Sequence, residues 1–424
     1  MPISNEPLII REHDKLIDLT QDEQTDLEKF ALANQTDVQG NYRPVLSLKN
    51  NRLYAQNYVG IIETRKGTVL EILPKVDFSE DAEDEDIEKT KQVFFKMLRS
   101  WRGLKSLAQF NESHINAVRR FNMLEVFFHL FLNNLVLLTQ RGLARYYHPV
   151  EDNLPCLRGR ILFPQHIREN SANRARFYVG YDEFSANRPA NRLIHSTIHK
   201  LIGLARQPRN QQLLHQLRIF FSDIPQSANL ESDWEQHRHR MDRSTQHYGA
   251  VMQWVGLFLF DHGLTTFVGK HVNQALLFPM WEVFEDFVAA CFRRHQQQFS
   301  VSEQGSQKPQ PLASIDGKGV FYMKPDICLM SGDKTKFILD TKWKRIKEEG
   351  DDLKHGISQA DMYQLFAYGK KYGCKQVALV YPKTKQFQEM LRYKFDEELS
   401  LFCFPFDVNN PKDSVETILK DLRG

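Results

Sequence analysis

The 424-residue sequence is poor in cysteine, and its five cysteines form no CxxC pair. An odd number of isolated cysteines argues against a disulfide framework, a zinc ribbon and an iron–sulfur centre. A reducing compartment is the simplest setting for such a chain, so we expect a cytoplasmic protein. The cysteines are Cys156, Cys291, Cys328, Cys374 and Cys403.

Long apolar runs are also scarce. The most apolar stretch, residues 123–138, contains Glu125, His129, Asn133 and Asn134. It is too short and too polar to span a bilayer, so we expect a buried core helix and no membrane partner. The opening residues, MPISNEPLIIREHDK, lack the apolar core of a secretory signal.

The sequence has neither a large excess of one charge nor a nucleotide-binding loop. Its formal net charge is +3, so no chain-wide field indicates a polyanionic partner, and any basic patch must be local. We find no GxxxxGKS or GxxxxGKT segment, the P-loop that cradles nucleotide phosphates. The chain is therefore not expected to be a P-loop motor itself.

Three regions of different pattern divide the chain and predict an α+β multidomain fold. Residues 1–89 predict a β-rich domain with a hairpin over 58–76 and an acidic linker at 79–89. Residues 90–265 predict a mostly helical middle region, and 266–424 predict an α/β domain. The elements predicted in this last region are helices at 279–298 and 358–372 and strands at 376–381 and 400–406.

Two arginines of the middle region allow two interpretations. Arg158 and Arg160 lie in the segment LRGRILFPQHI, residues 157–167. Arginines beside a glycine and a short apolar run contact phosphate groups in some proteins. In others they form ion pairs that orient a loop, and the sequence alone favours neither.

The segment KPDICLMSGDKTKFILDTKWK, residues 324–344, carries the chemistry. Its two apolar runs flank a polar turn and predict a hairpin that returns Asp340 close to Asp326. Asp340 and Lys342 are two residues apart and share one strand face, whereas Thr341 faces the other way. Clustered carboxylates suit Mg²⁺, which polarises a phosphodiester and activates a water, and Lys342 would orient that water. A hairpin with ordinary end charges is the alternative.

The helix predicted at 279–298 offers a third carboxylate. Glu285 falls within its apolar stripe, and Glu282 and Asp286 fall toward the polar flank. A carboxylate on an apolar face is costly unless it is paired, so Glu285 is a candidate metal ligand or supporting group. The alternative is a helix-edge side chain that reaches solvent. The stripe consists of Trp281, Phe284, Val288, Cys291 and Phe292.

A second helix, predicted at 358–372, presents Gln364 and Tyr368 on one face because they are four residues apart. The Gln364 amide suits a metal-bound water or a phosphate oxygen, and the Tyr368 hydroxyl suits a hydrogen bond to a nucleic-acid strand. Packing of a helix edge against the sheet is the alternative.

Together these pieces resemble the PD-(D/E)XK nuclease superfamily. The resemblance rests on Pro325-Asp326, the DTK of residues 340–342, the helical Glu285 and the QLFAY of residues 364–368. The Gln-xxx-Tyr element is similar to that of the RecB-like branch. The acid of the DTK segment is Asp340 rather than Glu, and the superfamily admits either. The resemblance implies that Asp326, Asp340 and Glu285 hold Mg²⁺, for which Mn²⁺ substitutes.

The resemblance extends to the McrC family, the endonuclease subunits of McrBC modification-dependent restriction systems. Three further segments carry it in order: VGIIETRKGTVLEILPKV, LRGRILFPQHI and YDEFSANRPANRLI. It implies that the N-terminal β-rich part docks on a hexameric AAA+ GTPase of the McrB type and stimulates GTP hydrolysis. The partner would recognise modified cytosine in double-stranded DNA, this chain would cut, and two such assemblies would be bridged.

The leading hypothesis is therefore a Mg²⁺-dependent DNA endonuclease subunit. Asp326, Asp340 and Lys342 form its predicted centre, with Glu285, Gln364 and Tyr368 as further site residues. One alternative is an adaptor that activates an AAA+ partner without cutting, and another is a stand-alone repair nuclease. The nearby cations that would hold phosphates are Lys324, Lys342, Lys344, Arg345 and Lys347.

Overall fold

The computed structural model describes residues 7–17, 19–36, 40–75, 84–103, 122–239, 243–260, 272–304, 309–346 and 354–423. The chain divides into two compact units. The first unit combines the two ends of the chain, Met1–Met123 and Leu264–Gly424, and the second is Leu124–Gly263. The predicted α+β class is confirmed. The predicted domain boundaries at 89 and 265 stay a prediction.

The described residues contain seventeen strands and eleven α-helices, numbered here in chain order. The strands are β1 Leu8–Arg11, β2 Leu46–Lys49, β3 Arg52–Ala55, β4 Tyr58–Thr64, β5 Val69–Leu73, β6 Tyr146–Leu154, β7 Arg160–Ile161, β8 Phe177–Ser185, β9 Val272–Pro279, β10 Ser300–Glu303, β11 Pro311–Ile315, β12 Lys318–Tyr322, β13 Ile327–Ser331, β14 Lys334–Thr341, β15 Gln376–Pro382, β16 Leu391–Lys394 and β17 Ser400–Phe406. The helices are α1 Gln21–Ala33, α2 Asp84–Leu98, α3 Met123–Arg141, α4 Phe163–Asn170, α5 Pro189–Leu204, α6 Pro208–Phe220, α7 Leu230–His239, α8 Gly249–Leu259, α9 Met280–His295, α10 Gln359–Tyr372 and α11 Pro411–Asp421.

In the first unit, the N-terminal sheet has the strand order β1-β5-β4-β9. The hairpin predicted over 58–76 is present as antiparallel β4 and β5, and Gly67 supplies a left-handed turn residue with φ 83°. All seven residues of β4 are buried, as expected for a strand covered on both faces. Of the predicted acidic linker, residues 79–83 lie outside the described residues, and helix α2 begins at Asp84.

The fourth strand of this sheet, β9, comes from a part of the sequence that was predicted to belong to the C-terminal domain. It pairs antiparallel with β4, and Tyr58 lies opposite Pro279. The two backbones approach closely at Gly60, whose φ is 143° and where a Cβ atom would overlap the Leu276 carbonyl oxygen. Only glycine fits this position, so the close approach of β4 to β9 depends on Gly60.

The second sheet of the first unit, the C-terminal sheet, has the order β10-β13-β14-β15-β17-β16. Strands β13 and β14 form the predicted antiparallel hairpin, whereas β14, β15 and β17 run parallel. Helix α10 is the crossover between β14 and β15 that a parallel pair requires. It begins after the N-cap Ser358, whose hydroxyl accepts from the Asp361 amide at 3.2 Å, and it ends at left-handed Gly373.

The second unit is built around α3, which contains the predicted core helix. This helix is long and apolar enough to cross a membrane by length and composition, but 61% of its apolar window is buried in the protein. Phe127 packs against Trp254, and Phe128 and Phe131 pack edge-on against Phe258. The prediction of a buried core helix is confirmed. The unit also holds a three-stranded sheet of order β6-β8-β7, which the prediction of a mostly helical region did not include.

Candidate active site

The hairpin β13–β14 places the two predicted acids side by side. Ile327 lies opposite Leu339, so Asp326, just before β13, is level with Asp340 near the end of β14. Asp340 is 1% exposed. Two carboxylates at the ends of adjacent strands therefore meet at one edge of the C-terminal sheet, beside the carboxyl end of parallel β14, where open α/β sheets bind ligands.

Thr341 does not face away from this cluster, contrary to the sequence expectation. Its backbone N–H and its hydroxyl both donate to Asp326 Oδ2, at 2.8 and 3.0 Å. Side chains alternate between the two faces of a strand, but Asp326 lies just outside β13 and does not follow this rule. From that position its side chain reaches Thr341, the residue after Asp340. Thr341 therefore holds the Asp326 carboxylate in place.

Lys342 joins the acids to helix α10. Its Nζ lies 2.6 Å from Asp340 Oδ2 and 3.6 Å from Asp361 Oδ1. It also donates to Gln364 Oε1 at 3.4 Å. Burial lowers the pKa of Lys342, but the charges of Asp340, Asp326 and Asp361 outweigh burial and leave that pKa raised. The ammonium group therefore stays charged at neutral pH and is held in one position.

Gln364 and Tyr368 continue this chain of contacts along the α10 face. The Gln364 amide donates to the Tyr368 hydroxyl at 2.9 Å, and that hydroxyl donates to the Lys324 carbonyl at 3.3 Å. Burial raises the pKa of Tyr368 to about 12, so the phenol remains protonated. The structure thus brings both predicted residues to Lys342, where they fix the lysine from its helix side.

Glu285 approaches the cluster from α9. Its Oε1 accepts from Gln304 Nε2 at 2.8 Å and lies 3.3 Å from Arg102 Nη2. Asp286 was expected on a polar flank but is buried, because Arg102 binds it through its backbone N–H at 2.7 Å and its Nε at 2.6 Å. A distant arginine therefore neutralises the flank that the helical pattern alone assigned to solvent.

The carboxyls of Asp326, Asp340 and Glu285 all have raised pKa values. Burial raises the pKa of Asp326 to about 7, and the charge of Glu285 adds to the rise. Burial also raises the pKa of Asp340 to about 7, with Asp326 adding and Lys342 opposing. The pKa of Glu285 rises to about 7, again chiefly through burial, while the Gln304 hydrogen bond opposes. All three carboxyls therefore resist ionisation, chiefly because they are buried and also because neighbouring carboxylates repel one another.

The carboxylates of this site suit Mg²⁺ that is bound by two protein ligands and several waters. Among the described residues, no three His, Cys, Asp or Glu side chains converge on a common metal-binding point. Mg²⁺ commonly takes one or two carboxylates and completes its shell with water and substrate phosphate. Asp326 and Asp340, hard oxygen donors on adjacent strand ends, match this mode. Glu285 stays a predicted ligand, since its Oε1 is held by Gln304 and Arg102.

A cleft of about 430 Å³ opens onto these groups. Asp326, Thr341 and Lys342 line it together with the N-terminal residues 42–44 and 56–58. Beside it, Trp343 Nε1 donates to the buried Glu12 carboxylate at 2.9 Å. The N-terminal part of the first unit therefore shapes the space in front of the acids.

Sequence reasoning missed four residues of the site. Asp361 had a visible signal, because it lies three residues before Gln364 on the same helix face. The sequence contains no such signal for Thr341, Gln304 or Arg102, because their roles depend on how distant elements pack.

The other lysines and arginines that are candidate phosphate contacts lie at several separate places. Lys344 Nζ lies 3.3 Å from Asp361 Oδ2, and Arg345 donates to the Lys75 carbonyl at 3.2 Å. Lys347 lies outside the described residues. In the second unit, the Arg158 guanidinium stacks 4.0 Å from the centre of the Tyr181 ring, and Arg160 opens β7. The two interpretations of Arg158 and Arg160 stay open.

Comparison with known proteins gives a family match over most of the chain. The family model described as McrBC 5-methylcytosine restriction system component matches residues 53–382. A curated relative, the Type IV methyl-directed restriction enzyme EcoKMcrBC of Escherichia coli (strain K12), is 24% identical over 140 residues. That alignment spans 33% of this chain and 39% of the relative, well under two thirds of its length.

Two solved structures share the fold. One is a half-complex from a tetradecameric assembly of Thermococcus gammatolerans McrB AAA+ hexamers with bound McrC, with TM-score 0.71 and 19% identity. That match covers 97% of this chain and all of the matched chain. The Thermococcus gammatolerans McrBC complex solved by cryo-EM matches 70% of this chain and 89% of its own, with TM-score 0.51 and 20% identity.

Proposed function

Because the chain belongs to the family of McrBC 5-methylcytosine restriction system components, we propose that it is the DNA-cutting subunit of a McrBC-like complex. The observation that carries this proposal is the cluster of Asp326, Asp340 and Lys342 at one sheet edge. A buried acid pair beside a fixed ammonium matches the needs of phosphodiester hydrolysis. Its PD-(D/E)XK character is part of the same proposal.

The proposed partner is a McrB-like hexameric AAA+ GTPase. The likeness over 97% of the chain to a protein solved with McrB hexamers supports this assignment, as does the lack of a P-loop in the sequence. In this proposal the chain stimulates GTP hydrolysis by the partner, and the partner recognises modified cytosine in double-stranded DNA. Two assemblies are bridged through this chain.

The residues divide the work of hydrolysis among them. When bound, Mg²⁺ would be held by Asp326 and Asp340, with Glu285 as a further candidate, and would supply Lewis-acid polarisation and an acidified water. Thr341 fixes one carboxylate oxygen of Asp326, which lines the cleft. Lys342 places a positive charge where the phosphoryl oxygens gain negative charge, which lowers the barrier.

The helix residues keep the cation in position. Asp361 and Gln364 both contact Lys342 from α10, and Asp340 contacts it from the strand, so its reorganisation cost during reaction is small. Tyr368 donates to a backbone carbonyl and does not act as a base, since it stays protonated at neutral pH. Gln364 and Tyr368 are therefore proposed as positioning residues.

The test is cleavage of methylated and unmethylated plasmid by the purified chain, with and without its AAA+ partner, GTP and Mg²⁺. We expect cutting that needs the methyl group and all three additions, and loss of cutting by at least about a hundredfold in Lys342→Ala. Stimulated GTP hydrolysis should persist in that variant. Cutting by the chain alone would indicate a stand-alone nuclease, and GTPase stimulation with no cutting would indicate an adaptor.

A further inference from the structure

A second cleft lies at the other end of the C-terminal sheet and carries no assigned role. Its volume is about 640 Å³, and it lies where β14 and β15 begin and α10 ends. We call it the lysine cleft. Its defining residues are Lys334, Lys336, Lys371 and Lys375, with Asp333 as the acid among its lining residues.

The four lysines are exposed and have no carboxylate partner among the described residues. Neighbouring lysines of the same domain behave differently. Lys370 lies 2.6 Å from Asp396, and Lys344 lies 3.3 Å from Asp361. The lysine cleft is therefore a local concentration of positive charge in a chain whose formal net charge is only +3.

The backbone directs one of these lysines outward. Phe337 pairs with Leu329 and Thr335 pairs with Met330, so Lys336 is an extra residue with no partner on β13. Such a bulge bends the strand and re-aims the side chain at that position. Lys371 lies in the last turn of α10, where a cation also stabilises the helix terminus. Stabilisation of the helix terminus explains the presence of Lys371, but it does not explain Lys334, Lys336 and Lys375, which lie near the starts of β14 and β15.

The lysine cleft is close enough to Asp340 for one DNA duplex to contact both. Lys336 precedes Asp340 by four residues of β14, which is about 13 Å along the strand. Lys371 follows Gln364 by seven residues of α10, about 10 Å along the helix. Each strand of duplex DNA carries one phosphate per about 3.4 Å of helix axis, so a duplex whose axis runs along this direction spans the separation with roughly three or four nucleotides.

We propose that the lysine cleft binds the phosphodiester backbone of duplex DNA a few nucleotides from the bond that is cut. This inference rests on the proposed function and adds a second anchoring point for the substrate. Contacts of ammonium groups to phosphate carry no base information, so the lysine cleft contributes affinity and alignment but not sequence preference.

The test compares two double variants with equal charge change in the full chain bound to its AAA+ partner. Lys336→Gln/Lys371→Gln removes two of the four positive charges of the lysine cleft, and Lys385→Gln/Lys420→Gln removes two exposed charges outside it. Binding of a short fluorescent duplex is measured by anisotropy between about 50 and 200 mM salt. For two lost phosphate contacts we expect the salt-dependent fall in affinity to shrink by about tenfold in the first variant only.

The outcomes separate this inference from the proposed function. If the wild-type complex cuts DNA but both variants keep the wild-type salt slope, the inference is wrong and the proposed function stands. If the wild-type complex neither binds nor cuts the duplex, both fail. If the first variant loses assembly with the partner at an unchanged salt slope, the lysine cleft is a protein-docking surface and the inference is overturned. The single variant Lys375→Gln repeats the comparison should the double variant fold poorly.

Discussion

The two sheets of the first unit both bury carboxylates, but they neutralise them differently. In the N-terminal sheet, Glu71 is fully buried; Lys91 Nζ lies 2.5 Å from its Oε2, and the Met123 amide donates to its Oε1 at 2.6 Å. In the C-terminal sheet, Lys342 lies 2.6 Å from Asp340 and 3.6 Å from Asp361, while Asp326 is bound by Thr341. Glu71 thus has its own cation, whereas Asp340 and Asp361 share one.

The first arrangement is an ion pair completed within the fold, whereas the second leaves two buried acids with raised pKa values. Burying the Lys91–Glu71 ion pair costs desolvation energy, which the attraction between the two charges offsets. The pair then holds α2 against the sheet. Burial and mutual repulsion raise the pKa values of Asp326 and Asp340, so their ionised forms destabilise the folded state at neutral pH. Under the proposed function, a divalent cation would bind this cluster and offset that cost. The comparison predicts opposite responses to removing an acid from the two sheets.

The largest effect is expected from Glu71→Ala. Lys91 would remain buried without its partner, and breaking a buried pair in this way costs about 3–5 kcal/mol. Urea unfolding of the purified chain measures the change. A loss below about 1 kcal/mol would remove the distinction between the two sheets.

A smaller effect of opposite sign is expected in the C-terminal sheet. The folded-state pKa values of Asp326 and Asp340 are raised from 3.8 to about 7. The folded state then binds protons more tightly, so their contribution to stability is full below about pH 4 and is lost as pH rises through 7. We expect the metal-free chain to lose at least about 1 kcal/mol across this window.

The matched variant for this pH profile is Asp326→Asn. It keeps the acceptor for Thr341 but removes a charge from the crowded cluster. Its unfolding free energy should depend less on pH between 4 and 7 and should exceed that of the wild type at pH 8 without metal. A steeper pH dependence than that of the wild type would show that crowding is not the cause.

The smallest effect is expected from Arg102→Gln. Arg102 is partly exposed and binds Asp286, so its loss should destabilise the chain by about 1 kcal/mol. It also removes a positive charge beside Glu285, so the pKa of Glu285 should rise further and the pH profile of cleavage should shift to higher pH. Stability measurements together with cleavage rates at several pH values test both parts. Arg102→Lys, which keeps the charge, should leave the pH profile near that of the wild type.

The parts that the sequence predicted are those with local signals. The β4–β5 hairpin follows from two strand-like segments around a turn at Gly67, and the β13–β14 hairpin follows from two apolar runs around a polar turn. The helix α10 was predicted over 358–372, and the four-residue spacing of Gln364 and Tyr368 correctly placed both on one face. Each depends on contacts between residues close in the sequence.

The parts that the sequence missed depend on distant pairing. Strand β9 joins β4 across more than two hundred residues, and Arg102 reaches Asp286 from a separate helix terminus. Thr341 turned to Asp326 because the acid lies beyond the end of β13, where alternation no longer applies. Local periodicity contains no information on which edges and termini meet, so these contacts could not be derived from it.

Thermal unfolding of the full chain at neutral pH, with and without Mg²⁺, tests directly whether the acid cluster takes up a divalent cation. We expect Mg²⁺ to raise the melting temperature of the wild type and Asp340→Asn to lose this gain. A lysine-cleft variant, Lys336→Gln/Lys371→Gln, should keep the gain because it leaves the acids untouched. An equal gain in the wild type and in Asp340→Asn would contradict the claim that the acid cluster is completed by a divalent cation.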